Sequence, residues 1–236
     1  MLDHIIVLWI AIVGPATDQP LMRMLKASVN PMRRIYAYWI TILGLVILTA
    51  LVWPGRGASL LTSPFGTPNL LVKSLGWTMV VLMTVNTVQT WLYVRKSPEN
   101  RLVVHKAYGS LDFVLPTNRL ERLWFIPVCL AAGICEEIIF RNFMIHYFDF
   151  LPLWGAALAA SAVFGVAHLY QGWKGALWTW AFALVFTLIV AGTGSIFVAM
   201  AVHALWDLRV LLFTLPEDHE LLKSETGAGE DTGSSN

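Results

Sequence analysis

The sequence predicts an all-α protein, a polytopic transmembrane bundle of 6–8 helices. Three observations predict it. Hydrophobic residues make up 57% of the 236 and charged residues only 13%, about half the usual share of a soluble domain. Six apolar runs approach or exceed the length that spans ~30 Å of hydrocarbon at ~1.5 Å per residue. Turn-rich or charged stretches separate several of them.

The six runs are 35–53, 75–94, 123–147, 152–170, 175–191 and 195–215. Segment 4–14 is shorter and is read either as a further span or as a helix lying at the interface, the span being preferred. It lacks a basic flank and a small-residue cleavage site, so it is not read as a cleavable signal. "WPGRGAS" (53–59) and "SPFGTPN" (63–69) are turn chemistry, and "RKSPENR" (95–101) ends the second run. Three regions follow: N-terminal membrane helices over 1–110, a helical core over 111–215, and a small, acidic, disordered tail over 216–236.

Lys and Arg set the expected orientation. The 16–34 linker holds Arg23, Lys26, Arg33 and Arg34, and the 95–122 linker holds six basic residues. The linkers after Tyr147 and Ala191 hold none. The positive-inside rule puts 16–34, 95–122, 171–174 and the C-terminus in the cytoplasm. A net charge of +1 gives no reason to expect nucleic-acid binding. Cys129 and Cys135, on one predicted helix, fit packing rather than a disulfide or a metal site.

Ionisable groups inside the runs need explaining. They occur in "EEIIFR" (136–141), "FGVAH" (164–168) and "HALWD" (203–207), with Arg209 just beyond. A carboxylate or Arg at a helix centre costs roughly 2.5–3.5 kcal/mol. Three in one run cost roughly 8–10 kcal/mol, so 123–147 must face the bundle interior or water. On an α-helix Glu137 and Arg141 share a face and pair, leaving Glu136 about 140° away without a local counter-charge. His203 and Asp207 share a face on the last run. Glu136, His168, His203 and Asp207 can therefore converge from three helices. Depth is a constraint: Glu136 lies far into its run and His168 near the end of its own. They meet if a helix starts early in "TNRLERLWF" (117–125), with Asn118 as N-cap, or if the fourth run continues past Gln171. His4, His105, His146 and His219 read as solvated or interfacial, and Asn86 as an interhelical hydrogen bond.

Two chemistries remain open for the four side chains. They could hold a divalent metal, Zn²⁺ foremost, that activates a water. Alternatively, Glu136 is a general base on water oriented by His168, with His203 and Asp207 stabilising an oxyanion. Both hydrolyse a carbonyl bond. A proton- or ion-coupled transporter, using the same groups as a relay, is the alternative class.

The three motifs resemble the signature of the CPBP family, which includes type II CAAX prenyl endopeptidases and bacteriocin-processing intramembrane proteases: EExxxR, FxxxH, then HxxxN or HxxxD on successive core helices. The resemblance covers roughly 120–210. It implies an intramembrane endopeptidase in which Glu136 and His168 activate water. His203 and Asp207 would be metal ligands or oxyanion stabilisers, supported by Glu137 and Arg141. Many members carry Asn at the last position. Asp207, once ionised, only accepts hydrogen bonds, which favours metal ligation or a protonated Asp. The implied partner is a membrane-associated peptide or protein, and the lipid bilayer. The compact chain fits a prokaryotic cytoplasmic membrane. A non-catalytic immunity or scaffold protein of the same fold is the remaining alternative.

Overall fold

The computed structural model describes residues 1–28 and 30–218, so most of the expected tail, and His219, lie outside the described residues. The fold is a helical bundle, without strands among the described residues. Its helices are α1 (Leu2–Ala27), α2 (Arg33–Val52), α3 (Leu70–Val94), α4 (Pro98–Ala107), α5 (Arg119–Tyr147), α6 (Leu153–Ala167), α7 (Trp173–Thr193) and α8 (Ile196–Leu208). Five of them, α1, α2, α3, α5 and α7, are long and apolar enough to cross a membrane.

Several expected limits move. The short N-terminal run extends to Ala27 through Pro15 and Pro20, so the supposed 16–34 linker is largely helix. The fourth and sixth runs are not full spans. Helix α6 has 15 residues and α8 has 13, about 22 and 20 Å of rise. Leu151–Pro152, the 3₁₀ turn Leu169–Gln171 and the 3₁₀ turn Arg209–Leu212 are apolar enough to lengthen the runs but are not α-helical. The fourth run stops at Ala167 with His168 as its C-cap. The depth problem is met by the early start of α5. Asn118 is the N-cap, its side chain accepting from Glu121 N–H at 2.9 Å. Glu121 reaches back to accept from Thr117 N–H at 2.7 Å, a reciprocal cap.

Helix α5 is the axis of the bundle. It packs between α2 and α8, while α7 packs against α3, α6 and α8. The core runs along α5, α6, α7 and α8 through Ile139, Phe143, Phe164, Phe186, Ile189 and Ile196. Without a hydrophobic force between helices in lipid, close approach of small residues supplies contact. At the α3–α7 crossing, a Cβ on Gly192 would meet Val72 O at 2.4 Å and the Gly76 Cα at 2.6 Å. At the α5–α8 crossing, a Cβ on Gly133 would meet Ala204 N at 2.7 Å. Ala204 adjoins His203, so this contact fixes how near the two motif-bearing helices lie.

Gly133→Ala should therefore force α5 and α8 apart, at a cost of about 1–3 kcal/mol. Gly44→Ala in α2, where nothing lies within 4 Å of the added Cβ, should be neutral or stabilising by up to about 1 kcal/mol. Thermal denaturation of the purified variants in detergent checks both. Equal stability for the two would contradict the packing.

Candidate active site

The motif on α5 lies in a stretch of π-helix, Ala132–Phe143. Its hydrogen bonds run i→i+5, a widened form found mostly as short insertions, frequently at functional sites. Widening changes which side chains share a face. In an α-helix, neighbouring residues lie about 100° apart. Here adjacent Glu136 and Glu137 both reach the same imidazole. His203 Nδ1 lies 2.8 Å from Glu137 Oε1, and His203 Nε2 lies 3.7 Å from Glu136 Oε2.

Glu137 forms the expected ion pair with Arg141, with Nε 3.2 Å from Oε2. It also does something the sequence reading did not assign to it: its other oxygen holds His203. One carboxylate thus joins a guanidinium on α5 to an imidazole on α8. Arg141 and Glu137 are both fully buried. The guanidinium lies over the Phe164 ring (4.9 Å) and the Phe186 ring (5.6 Å), so two aromatic faces supplement Glu137 in balancing its charge.

His203 stacks on Phe186 with centroids 4.6 Å apart and meets Phe164 edge-on at 6.5 Å. Phe186 was missed by the sequence reading because it lies in none of the three motifs. Asp207, one turn along α8, brings Oδ2 to 3.7 Å from His203 Nε2. The His168 ring also packs on Phe164, with ring centroids 4.5 Å apart. Its Nδ1 lies 2.8 Å from the Phe164 carbonyl. A carbonyl only accepts, so Nδ1 carries the proton and Nε2 presents a lone pair.

Exposure increases across the cluster. The Glu137 side chain is 0% exposed, His203 8%, Glu136 14% and Asp207 33%. The accessible groups are thus Glu136 and Asp207, with Glu137 behind them. That gradient suits a reactive carboxylate supported by a buried one.

Among the described residues, no group of three or more His, Cys, Asp or Glu could hold a metal ion. His203 Nε2 faces two carboxylates, and the His168 ring packs against Phe164.

Elsewhere the sequence expectations divide. Asn86 makes its interhelical bond, its Oδ1 accepting from Arg209 Nη1 at 2.6 Å. Cys129 and Cys135 are free and buried. His105 is buried rather than solvated, with Nε2 2.9 Å from Asp112 Oδ1. Arg209 lies over Trp206 at 3.5 Å and also donates to the Tyr108 hydroxyl, fixing the end of α8 just past Asp207.

Glu137→Ala should destabilise the protein by about 3–5 kcal/mol, because it leaves Arg141 buried without its counter-charge. The double variant Glu137→Leu/Arg141→Met should regain most of that loss while His203 stays unsupported. Melting temperature and activity, measured on both variants, separate the two roles of Glu137. Recovery of activity along with stability would show that its bond to His203 is dispensable.

Comparison with known families locates this same region. Residues 118–209, the stretch from the cap of α5 to the end of α8, match the family model "Type II CAAX prenyl endopeptidase Rce1-like". No curated protein matches the chain, and no solved structure does. The matched stretch coincides with the one that carries the three motifs.

Proposed function

We propose that this chain is an intramembrane endopeptidase of the CAAX-protease type. It hydrolyses a peptide bond of a membrane-associated peptide or protein, with water activated by Glu136 and His168. The observation that carries the proposal is the Glu137–His203 bond of 2.8 Å, which sets His203 Nε2 against Glu136 and Asp207. Binding alone would not call for a buried carboxylate behind the imidazole.

In the proposed reaction, Glu136 accepts a proton from water as the water oxygen attacks the scissile carbonyl carbon. The Nε2 lone pair of His168 accepts the second water hydrogen and fixes the attack direction. The carbonyl π electrons move to oxygen, and doubly protonated His203 donates Nε2–H to that oxyanion. Collapse of the tetrahedral intermediate breaks the C–N bond. The proton held by Glu136 passes to the leaving amine, and the second product is a carboxylic acid. Each step uses groups of the chain itself. A divalent metal, if bound, would supply a more acidic water.

The basic linkers favour a cytoplasmic C-terminus, with the site reached from that side. The end of α5 at Arg119 would then be cytoplasmic, and the substrate would enter near Asp207 and Glu136.

Glu136→Gln and His168→Asn should each lower cleavage of a membrane-anchored reporter peptide at least a hundredfold, with unchanged melting temperature. Full activity in both would sink the proposal. Activity should also survive exhaustive chelation. Loss on chelation, reversed by Zn²⁺, would reassign Glu136, His168, His203 and Asp207 to a metal. Solute flux in liposomes, lost with Glu136→Gln, would favour the transporter class instead.

A further inference from the structure

The proposed site is short of hydrogen-bond donors. A tetrahedral oxyanion needs two or more, placed around it before the reaction. Glu136, Glu137 and Asp207 are acceptors when ionised. His168 has committed Nδ1–H to the Phe164 carbonyl, and His203 has committed Nδ1 to Glu137. The guanidinium of Arg141 lies behind, between Phe164 and Phe186. His203 Nε2 is left as a single donor, and it faces two carboxylates.

Tyr170 lies beside this gap. It belongs to the 3₁₀ turn Leu169–Gln171 that follows His168, and its ring lies 5.7 Å from the His168 ring at 34°. The charges of Glu136 and Asp207, and that of Asp18 on α1, act on its hydroxyl. The phenol oxygen accepts from Gln171 Nε2 at 3.3 Å. Gln171 is oriented in turn by Thr179 of α7, whose hydroxyl donates to Gln171 Oε1 at 3.4 Å. Gly175 leaves the room, since a Cβ there would come within 2.5 Å of the Gln171 Cβ. That chain fixes the phenol oxygen as an acceptor toward Gln171 and leaves its own proton to be donated elsewhere.

We propose that Tyr170 is a catalytic residue, its O–H the second donor to the substrate oxyanion beside His203 Nε2–H. This rests on the protease reading above. The phenol keeps its proton throughout. It stabilises charge by hydrogen bonding, and no bond to it forms or breaks. The assignment also accounts for how a site with Asp at position 207 can hold an oxyanion: the donor comes from the end of α6 instead.

The test measures cleavage of an anchored reporter peptide by full-length protein in detergent or proteoliposomes. Tyr170→Phe should lower kcat about a hundredfold, with KM within about threefold and an unchanged melting temperature. Adding Asp207→Asn to Tyr170→Phe should restore at least tenfold of that loss, because an amide N–H can donate where a carboxylate cannot. A purely structural tyrosine would not be rescued by an amide on another helix. Wild-type kcat in Tyr170→Phe overturns the inference while leaving the protease reading intact. So does a loss that Asp207→Asn does not relieve. Failure of the protease reading looks different: Glu136→Gln would then cleave as well as wild type.

Discussion

A buried arginine must have its charge answered where it lies, and much of the interior follows from how that is done. Arg141 is out of water, and Glu137 is the carboxylate that answers it. Each oxygen of that carboxylate is used, one toward Arg141 and one toward His203. Removing either partner would leave a charge or a donor uncompensated in an apolar interior. The carboxylate therefore ties α5 to α8 more firmly than packing alone would. Phe164 from α6 and Phe186 from α7 close over the guanidinium. All four helices of the matched region thus meet around one ion pair.

Two backbone features place the remaining groups. The π-helical stretch of α5 turns successive glutamates toward one histidine, and the Gly133–Ala204 approach brings that histidine within reach. The short helices do the rest. Both α6 and α8 run antiparallel to α5, and both end after about 20 Å of rise. His168, the C-cap of α6, and Asp207, in the last turn of α8, thus come level with the middle of α5 rather than with its Arg119 end. Had either helix been a full span, its motif would have ended nearer the surface, away from Glu136.

Much of this could be read from residue types and much could not. The reading of 117–125 as a helix start was correct because capping is local: Asn118 and Glu121 satisfy their neighbours' N–H groups wherever the helix goes. The Glu137–Arg141 pair was legible because i,i+4 partners stay close in either helix type. The meeting of Glu136 and Glu137 on one imidazole was hidden, since ideal α geometry sets them apart. The lengths of α6 and α8 were overestimated because hydropathy counts apolar turn residues such as Leu169 and Val210 as readily as helical ones. Phe186 and Tyr170 carry no pattern of their own. Only the packing of α7 and the turn after His168 gives them neighbours.

The arrangement also bears on which class of membrane protein uses such charges. A proton or ion relay needs ionisable or hydrated groups continuing across the bundle. Beyond Arg141 toward the Tyr147 end, α5 offers Phe143, Met144 and Ile145 to the interior, α7 offers Ile189 and Val190, α8 offers Ile196, Ala199 and Met200, and α6 offers Ala156, Ala157 and Ala160, all buried. That layer is mostly apolar, and its buried polar groups are satisfied within the chain: Asn142 donates to the Ser59 and Thr62 carbonyls, and the Ser161 and Thr187 hydroxyls lie 3.3 Å apart. On the opposite side lie Glu136, Asp207, Tyr170 and the buried Arg209, and exposure rises from Glu137 through Glu136 to Asp207. A cluster open on one side and plugged on the other suits chemistry on a substrate that enters and leaves by the same face. It suits poorly a path through the membrane, which would require the apolar plug formed by four helices to part. The fold thus gathers Glu136, His203 and Asp207 level with the middle of α5, with the most exposed of them, Asp207, on the side away from that layer.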